Sequence, residues 1–385
     1  MSISGRIGSF VFVTSAFITL LTTNAVAQGL TPGEYKIGFI SENTGPIAQA
    51  GQSFWAGAQL AAEVIKSSKY LGGSSIVLES KESGSDAARS IQAMSQFIAD
   101  RSVIATSCCI LSPVAGALKP VVLAAKIPLV IYGATAAGLP ERPLIYSMTI
   151  LPGPKDIATA LRVAEAIKPK TAVYILAADN DAFKGRMLAT QKALEAKGVA
   201  TAGVVSVLTK DTDFTAAATQ AMGLKPDMVL VYTTQQAAAG TVTSLRDRGF
   251  TKTIVGNDVL SPDSIFKKMG STVVGVPFPV SFSDTLSDSP EAKAFVAAYQ
   301  AKFHSSPDIY SAQGYQMVWF ISQGLKSISG TPTRESLSLA LNKIEKIEHQ
   351  VYGGEFMKDG QAQTTGTLVV NWSADGKIVP WAAPK

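Results

Sequence analysis

Short apolar runs alternate with segments of helical spacing from Gly33 onward, and this rhythm stops once and restarts. Tyr35–Ile40 reads as a strand, then Phe54–Ile65 as a helix with Phe54, Ala58, Ala61 and Ile65 on its inner face. Ile76–Leu78 is the next strand, and a helix starting at Ser85 carries Ile91, Met94, Phe97 and Ile98 at helical spacing. Val103–Thr106 and Leu129–Ile131 follow as strands, with Val114–Ala125 helical between them. Strand–helix–strand units of this length build a parallel sheet covered on both faces.

The rhythm restarts after Leu151-Pro152-Gly153-Pro154, which reads as a junction. Strands are expected at Ala172–Leu176, Val204–Val207, Met228–Tyr232 and Thr253–Val255, with helices at Lys184–Lys197, Phe214–Met222 and Ala237–Arg248. Pro277-Phe278-Pro279 reads as a second junction, followed by helices Pro290–Phe303 and Tyr310–Ser327 and a shorter one from Thr333. The expected fold is α/β, with two Rossmann-like lobes on parallel sheets and a chain that crosses between them more than once. The first lobe takes residues 34–150 and 281–353; the second takes 151–280 and 354–385.

The N-terminus sets the compartment. Arg6 precedes an apolar run from Phe10 to Leu21, which ends in Ala25-Val26-Ala27, the small-x-small pattern of a signal-peptidase site. A membrane anchor wants roughly 20 predominantly apolar residues, and Thr14, Ser15, Thr19, Thr22, Thr23 and Asn24 interrupt this run. Cleavage after Ala27 is expected, with a mature chain of 385 − 27 = 358 residues outside the cytoplasm. That length calls for two domains. Charged residues are only 16% of the chain, below the usual ~25%, which suits a large buried core.

The net charge of +5 is scattered, so no nucleic-acid partner is expected. His304 and His349 lie far from the adjacent Cys108 and Cys109, without metal-ligand spacing, so neither a metal nor a cofactor is expected. Adjacent cysteines fit disulfide geometry poorly, which predicts two free thiols.

The residues after each strand carry the functional signal. Ser41-Glu42-Asn43-Thr44 follows the first strand and Tyr132-Gly133-Ala134-Thr135 the fourth; Asp179-Asn180-Asp181, Thr233-Thr234 and Asn257-Asp258 follow strands of the second half. Ligands of open parallel sheets bind at the carboxyl ends of strands, so this set describes a polar cleft. Any one of these loops alone is an ordinary turn. Enzyme signatures are missing: there is no GxSxG, GxGxxG or P-loop. Asp179 and Asp181 could do acid–base work, but such pairs are common in turns.

Tyr35-Lys36-Ile37-Gly38, Thr44-Gly45-Pro46-Ile47-Ala48-Gln49-x-Gly51, Ile127-Pro128-Leu129-Val130-x-x-Gly133-Ala134-Thr135 and Pro307-Asp308-x-Tyr310 resemble the leucine/isoleucine/valine-binding protein family. These are periplasmic substrate-binding subunits of ABC importers with the type I fold. The resemblance implies hinge closure on a ligand and docking of a monomer on an inner-membrane permease. A sensor partner with the same fold is the other non-enzymatic role.

Carried over by position, the family's carboxylate grip falls on Ser112, Gly133, Ala134 and Thr135. Its ammonium-binding acid falls on Asp258, its second-lobe tyrosines on Phe183 and Thr234, and its side-chain aromatic on Tyr310; Ala50 replaces another aromatic. The resemblance thus implies a small carboxylate ligand. An amino acid or related amine is favoured because a cleft acid without a cationic partner is costly. A non-amino aromatic or short-chain acid is the alternative.

Overall fold

The computed structural model describes residues 1, 2, 5, 29–45, 47–364 and 366–383. The expected signal segment's apolar run and its cleavage point after Ala27 lie outside the described residues.

Five parallel strands open the first lobe: β1 (Glu34–Ser41), β2 (Ser75–Glu82), β3 (Val103–Cys108), β4 (Leu129–Ile131) and β5 (Ile145–Ser147). Ile37, Phe39 and Ile40 of β1 are all fully buried. A strand apolar on both faces needs helices on both, which α1 (Ala48–Ser67), α2 (Ala87–Ala99) and α3 (Ser112–Ala125) help supply. Asp86 caps α2 by accepting the Arg89 N–H at 2.8 Å.

The second unit runs α4 (Pro152–Ile167), β6 (Thr171–Ala177), α5 (Asp181–Glu195), β7 (Ala200–Val207), α6 (Thr215–Gly223), β8 (Met228–Tyr232), α7 (Gln235–Asp247) and β9 (Thr253–Val255). Its strands pair in parallel in the order β7-β6-β8-β9. The junction expected at Pro152–Pro154 is instead the first turn of α4, where prolines are tolerated because those N–H groups have no intrahelical partner. After α8 (Asp263–Met269), the second expected junction contains β10 (Phe278–Val280), an edge strand, where Pro279 can sit.

The chain then returns to the first lobe with α9 (Pro290–Phe303), α10 (Ile309–Lys326) and α11 (Arg334–Leu341). Next come β11 (Glu355–Lys358) and β12 (Gln361–Thr364), which complete the seven-stranded order β11-β12-β5-β4-β3-β1-β2. This corrects the expected boundary at 354. The hydrogen bonds of β12 to β5 keep residues 355–364 in the first lobe. The last crossing follows Thr364, and β13 (Leu368–Trp372) and β14 (Ile378–Pro380) form an antiparallel sheet with β10. Trp372 and Val370 of that sheet join the core around β6, β8 and α7.

Helices α1 and α10 cross at two glycines. A Cβ on Gly57 would lie 1.9 Å from the Ser311 carbonyl oxygen, and one on Gly314 would lie 2.0 Å from that of Phe54. Backbone thus meets backbone at this crossing. It places Tyr310, at the start of α10, against Phe54 of α1, with ring centroids 5.4 Å apart.

Candidate functional site

The first wall is built from the turns after β3 and β4. Cys108 and Cys109 are joined to each other across a cis peptide, their Cα atoms 3.3 Å apart. The expectation of two free thiols is therefore corrected. Both side chains are fully buried. The Cys109 carbonyl accepts the Gly133 N–H at 3.1 Å and the Ala134 N–H at 2.9 Å. Ser112, the first residue of α3, accepts the Thr135 N–H at 3.2 Å and the Ala136 N–H at 3.0 Å on its hydroxyl oxygen. Ser112, Gly133, Ala134 and Thr135 are thus brought together. The backbone N–H groups of Gly133, Ala134 and Thr135 are engaged within the wall. The side-chain donors here are the Ser112 and Thr135 hydroxyls, beside the N-terminus of a helix that has no side-chain cap. A side chain at Gly133 would crowd the wall: a Cβ would lie 3.0 Å from the Ile110 Cα and 3.1 Å from the Phe54 ring.

Behind this wall lies Glu42, fully buried, which accepts the Ile110 N–H at 2.6 Å and the Tyr132 hydroxyl at 3.1 Å. Burial raises its carboxyl above the usual range, and these hydrogen bonds offset only part of that. Much of the polarity in the loop after β1 is structural. Glu82 accepts the Asn43, Thr44 and Gly84 N–H groups and the Thr44 hydroxyl. The same holds after β6, where Asn180 caps α5 and Asp179 accepts from Thr209 at 2.9 Å. Of the acids considered for acid–base work, Asp179 is taken up by the Thr209 N–H and hydroxyl.

The second wall holds a charge cluster that reading by sequence missed. Arg186 donates to Asp156 at 2.6 and 2.9 Å and to Asp258 at 2.8 Å. Lys155 lies 4.0 Å from the other Asp258 oxygen and donates to the Ser281 hydroxyl at 3.4 Å. Lys155 and Asp156 are only 2% and 3% exposed. Burial alone would raise Asp258, but the Arg186 and Lys155 cations outweigh it and hold the carboxyl below its usual range. Burial dominates at Asp156, which is raised, and at Lys155, which is lowered. Phe183 packs beside this cluster, its ring centroid 5.3 Å from the Arg186 guanidinium carbon. One signal was available in the sequence: Arg186 follows Phe183 by three residues on α5, on the same face.

Phe183 and Asp258 are therefore linked through Arg186. Tyr310 belongs to the first wall through Phe54, yet the Asp258 charge reaches it; burial first, then that charge, pushes its hydroxyl up. Thr234 is the N-cap of α7 and makes no side-chain capping bond; no side-chain hydrogen bond ties it to the other candidates. Among the described residues no cluster of three or more His, Cys, Asp or Glu could hold a metal, and no helix is long and apolar enough to cross a membrane.

A family model described as periplasmic binding protein matches residues 34–377. The Leu/Ile/Val-binding protein BraC3 of Rhizobium johnstonii is 25% identical over 365 residues, covering 94% of this chain and 97% of that protein. The substrate-binding protein LivJ of Streptococcus pneumoniae, solved with isoleucine, superposes with a TM-score of 0.78 at 24% identity, covering 90% of this chain and 97% of that one. A solute-binding protein of an ABC transporter from R. palustris, solved with 4-hydroxybenzoate, superposes equally well, with a TM-score of 0.78 at 20% identity, covering 90% and 95%.

Proposed function

Since the chain belongs to the periplasmic binding protein family, whose members are substrate-binding proteins of transporters rather than enzymes, we propose that it delivers a non-amino aromatic carboxylic acid to an ABC permease. The observation that carries this reading is the pairing of Asp258. An α-ammonium group needs a carboxylate that lacks a cation, and Asp258 already faces Arg186 at 2.8 Å and Lys155 at 4.0 Å. The argument for an amine rested on the opposite premise. With four charges summing to zero, the second wall offers no net attraction to a cation.

The first wall suits a carboxylate. The Ser112 and Thr135 hydroxyls can donate to it beside the α3 N-terminus. Phe183 and Tyr310 supply aromatic surface for the ligand body, where the family pattern has tyrosine rather than Phe183. A relative solved with 4-hydroxybenzoate supports the same ligand class. Closure of the two lobes on the ligand, docking of a monomer on the permease, and export with cleavage after Ala27 complete the proposal. The second reading, a branched-chain amino acid, draws on the names of the relatives that bind leucine, isoleucine or valine.

Titration calorimetry of wild type and Asp258→Asn against benzoate, 4-hydroxybenzoate and isoleucine decides between them. The expected result is binding of an aromatic acid by both proteins and no binding of isoleucine. Isoleucine binding by wild type that Asp258→Asn abolishes would overturn the proposal.

A further inference from the structure

Lys155 is an unusual residue to bury. It sits in the first turn of α4, where the helix dipole disfavours a positive charge, and it is 2% exposed. Burial lowers its ammonium pKa, with Arg186 acting in the same direction and Asp258 and Asp156 opposing. An ammonium carries three N–H donors. Here they meet one long hydrogen bond, 3.4 Å to the Ser281 hydroxyl, and one acid at 4.0 Å, beyond hydrogen-bond reach. Arg186, by contrast, makes three short hydrogen bonds through Nε and Nη2, two to Asp156 and one to Asp258. The helix does not need this lysine, and its neighbours do not satisfy it.

Lys155 Nζ and Asp258 Oδ2 form a donor and an acceptor side by side. An oxygen placed about 2.8 Å from each spans their separation of 4.0 Å, with an angle near 90° at that oxygen. A group that accepts from one and donates to the other is a hydroxyl. A methyl or hydrogen in its place would leave both charges without it, and a carboxylate would meet repulsion from Asp258. We infer that Lys155, together with Asp258, is a specificity-determining residue that reads a hydroxyl at the end of the ligand opposite its carboxylate. This rests on the aromatic-acid reading above and narrows it to hydroxy-substituted aromatic acids. Lys155 Nζ donates to the hydroxyl oxygen, and the hydroxyl hydrogen goes to Asp258.

Titration calorimetry with benzoate and 4-hydroxybenzoate on wild type, Lys155→Met and Lys155→Arg tests it. Wild type should bind 4-hydroxybenzoate about tenfold or more tighter than benzoate, the range of one hydrogen bond to a charged group. Lys155→Met should shrink that difference by weakening 4-hydroxybenzoate more than benzoate, and Lys155→Arg should restore part of it. Equal affinity of wild type for the two acids overturns the inference whether or not the variants fold. So does an equal loss for both acids in a folded Lys155→Met, which marks a structural role only. If wild type binds isoleucine and neither acid, the aromatic-acid reading itself fails and takes this inference with it.

Discussion

Arg186 donates to Asp258 at 2.8 Å while its other edge grips Asp156 at 2.6 Å, so one guanidinium ties together α4, α5 and the turn after β9. The three segments reach the same end of the second lobe's sheet, and no backbone hydrogen bond could join helices and turn in this way. The pairing therefore has two consequences: it fixes the second wall, and it removes Asp258 as a free acid. Breaking a buried pair from one side leaves an uncompensated charge.

Arg186→Met should accordingly destabilise the protein by about 3–5 kcal/mol, because Asp156, 2% exposed at its side chain, loses the cation that bonds both of its oxygens. Urea unfolding measures this. Lys in place of Arg should recover only part of the loss, since an ammonium cannot bond both oxygens of Asp156 in the fork geometry and reach Asp258 as well. A loss under about 1 kcal/mol would mean that the cluster behaves like a surface ion pair.

Ser112→Ala should weaken ligand binding by about 1–3 kcal/mol, or roughly 5- to 150-fold. The hydroxyl oxygen is occupied by the Thr135 and Ala136 N–H groups, which leaves its hydrogen as the part that can donate outward. The alanine variant loses that donor and also releases the loop. Calorimetry with the tightest-binding acid reads the change. Unaltered affinity would place the ligand carboxylate elsewhere.

The parallel-sheet rhythm was legible because strands such as β1 are buried on both faces and read as apolar runs, while α9 spans the predicted Pro290–Phe303. The three residues of β5 are too short to stand out by pattern, and α4 was hidden by the prolines of its own first turn. β11 and β12 read as belonging with the later strands because nothing in their sequence names β5 as the partner. In the site, the Ser112–Thr135 wall followed from motif order. The Lys155–Asp156–Arg186 cluster did not, since its members are 30 residues apart and meet only through folding. The same limit misjudged Asp258: a charge can be read from sequence, but its neutralisation cannot.

Gly57→Ala should destabilise the first lobe by at least the ~1–3 kcal/mol of an overpacked core. The added methyl would meet the Ser311 carbonyl at 1.9 Å, and the obstacle is backbone, so no rotamer change relieves it. Because Ser311 follows Tyr310, the displacement also moves that ring, and ligand affinity should fall with stability. Thermal unfolding and calorimetry on the same sample test both. A fully stable Gly57→Ala would show that α1 and α10 can separate freely.

Glu355 on β11 gives the clearest pH dependence. It is 2% exposed, and neither carboxylate oxygen has a hydrogen-bond partner among the described residues. Burial raises its carboxyl well above 4.5 and outweighs the Tyr352 backbone, which acts the other way. The folded protein therefore keeps a proton that the unfolded chain releases once the pH passes about 4.5. In that window the native state binds more protons, so stability falls as pH rises until the folded value is passed. Glu42, Asp156 and Asp308 are also raised and tilt the wild-type curve the same way, so the wild type alone cannot isolate Glu355. Glu355→Gln can, because glutamine keeps the size and cannot ionise. The variant should be more stable than wild type at pH 8, and the gap should close as pH falls toward 4. Urea midpoints at pH 4, 6 and 8 measure it, and a gap of constant size across that range would mean that Glu355 never gains a proton on folding.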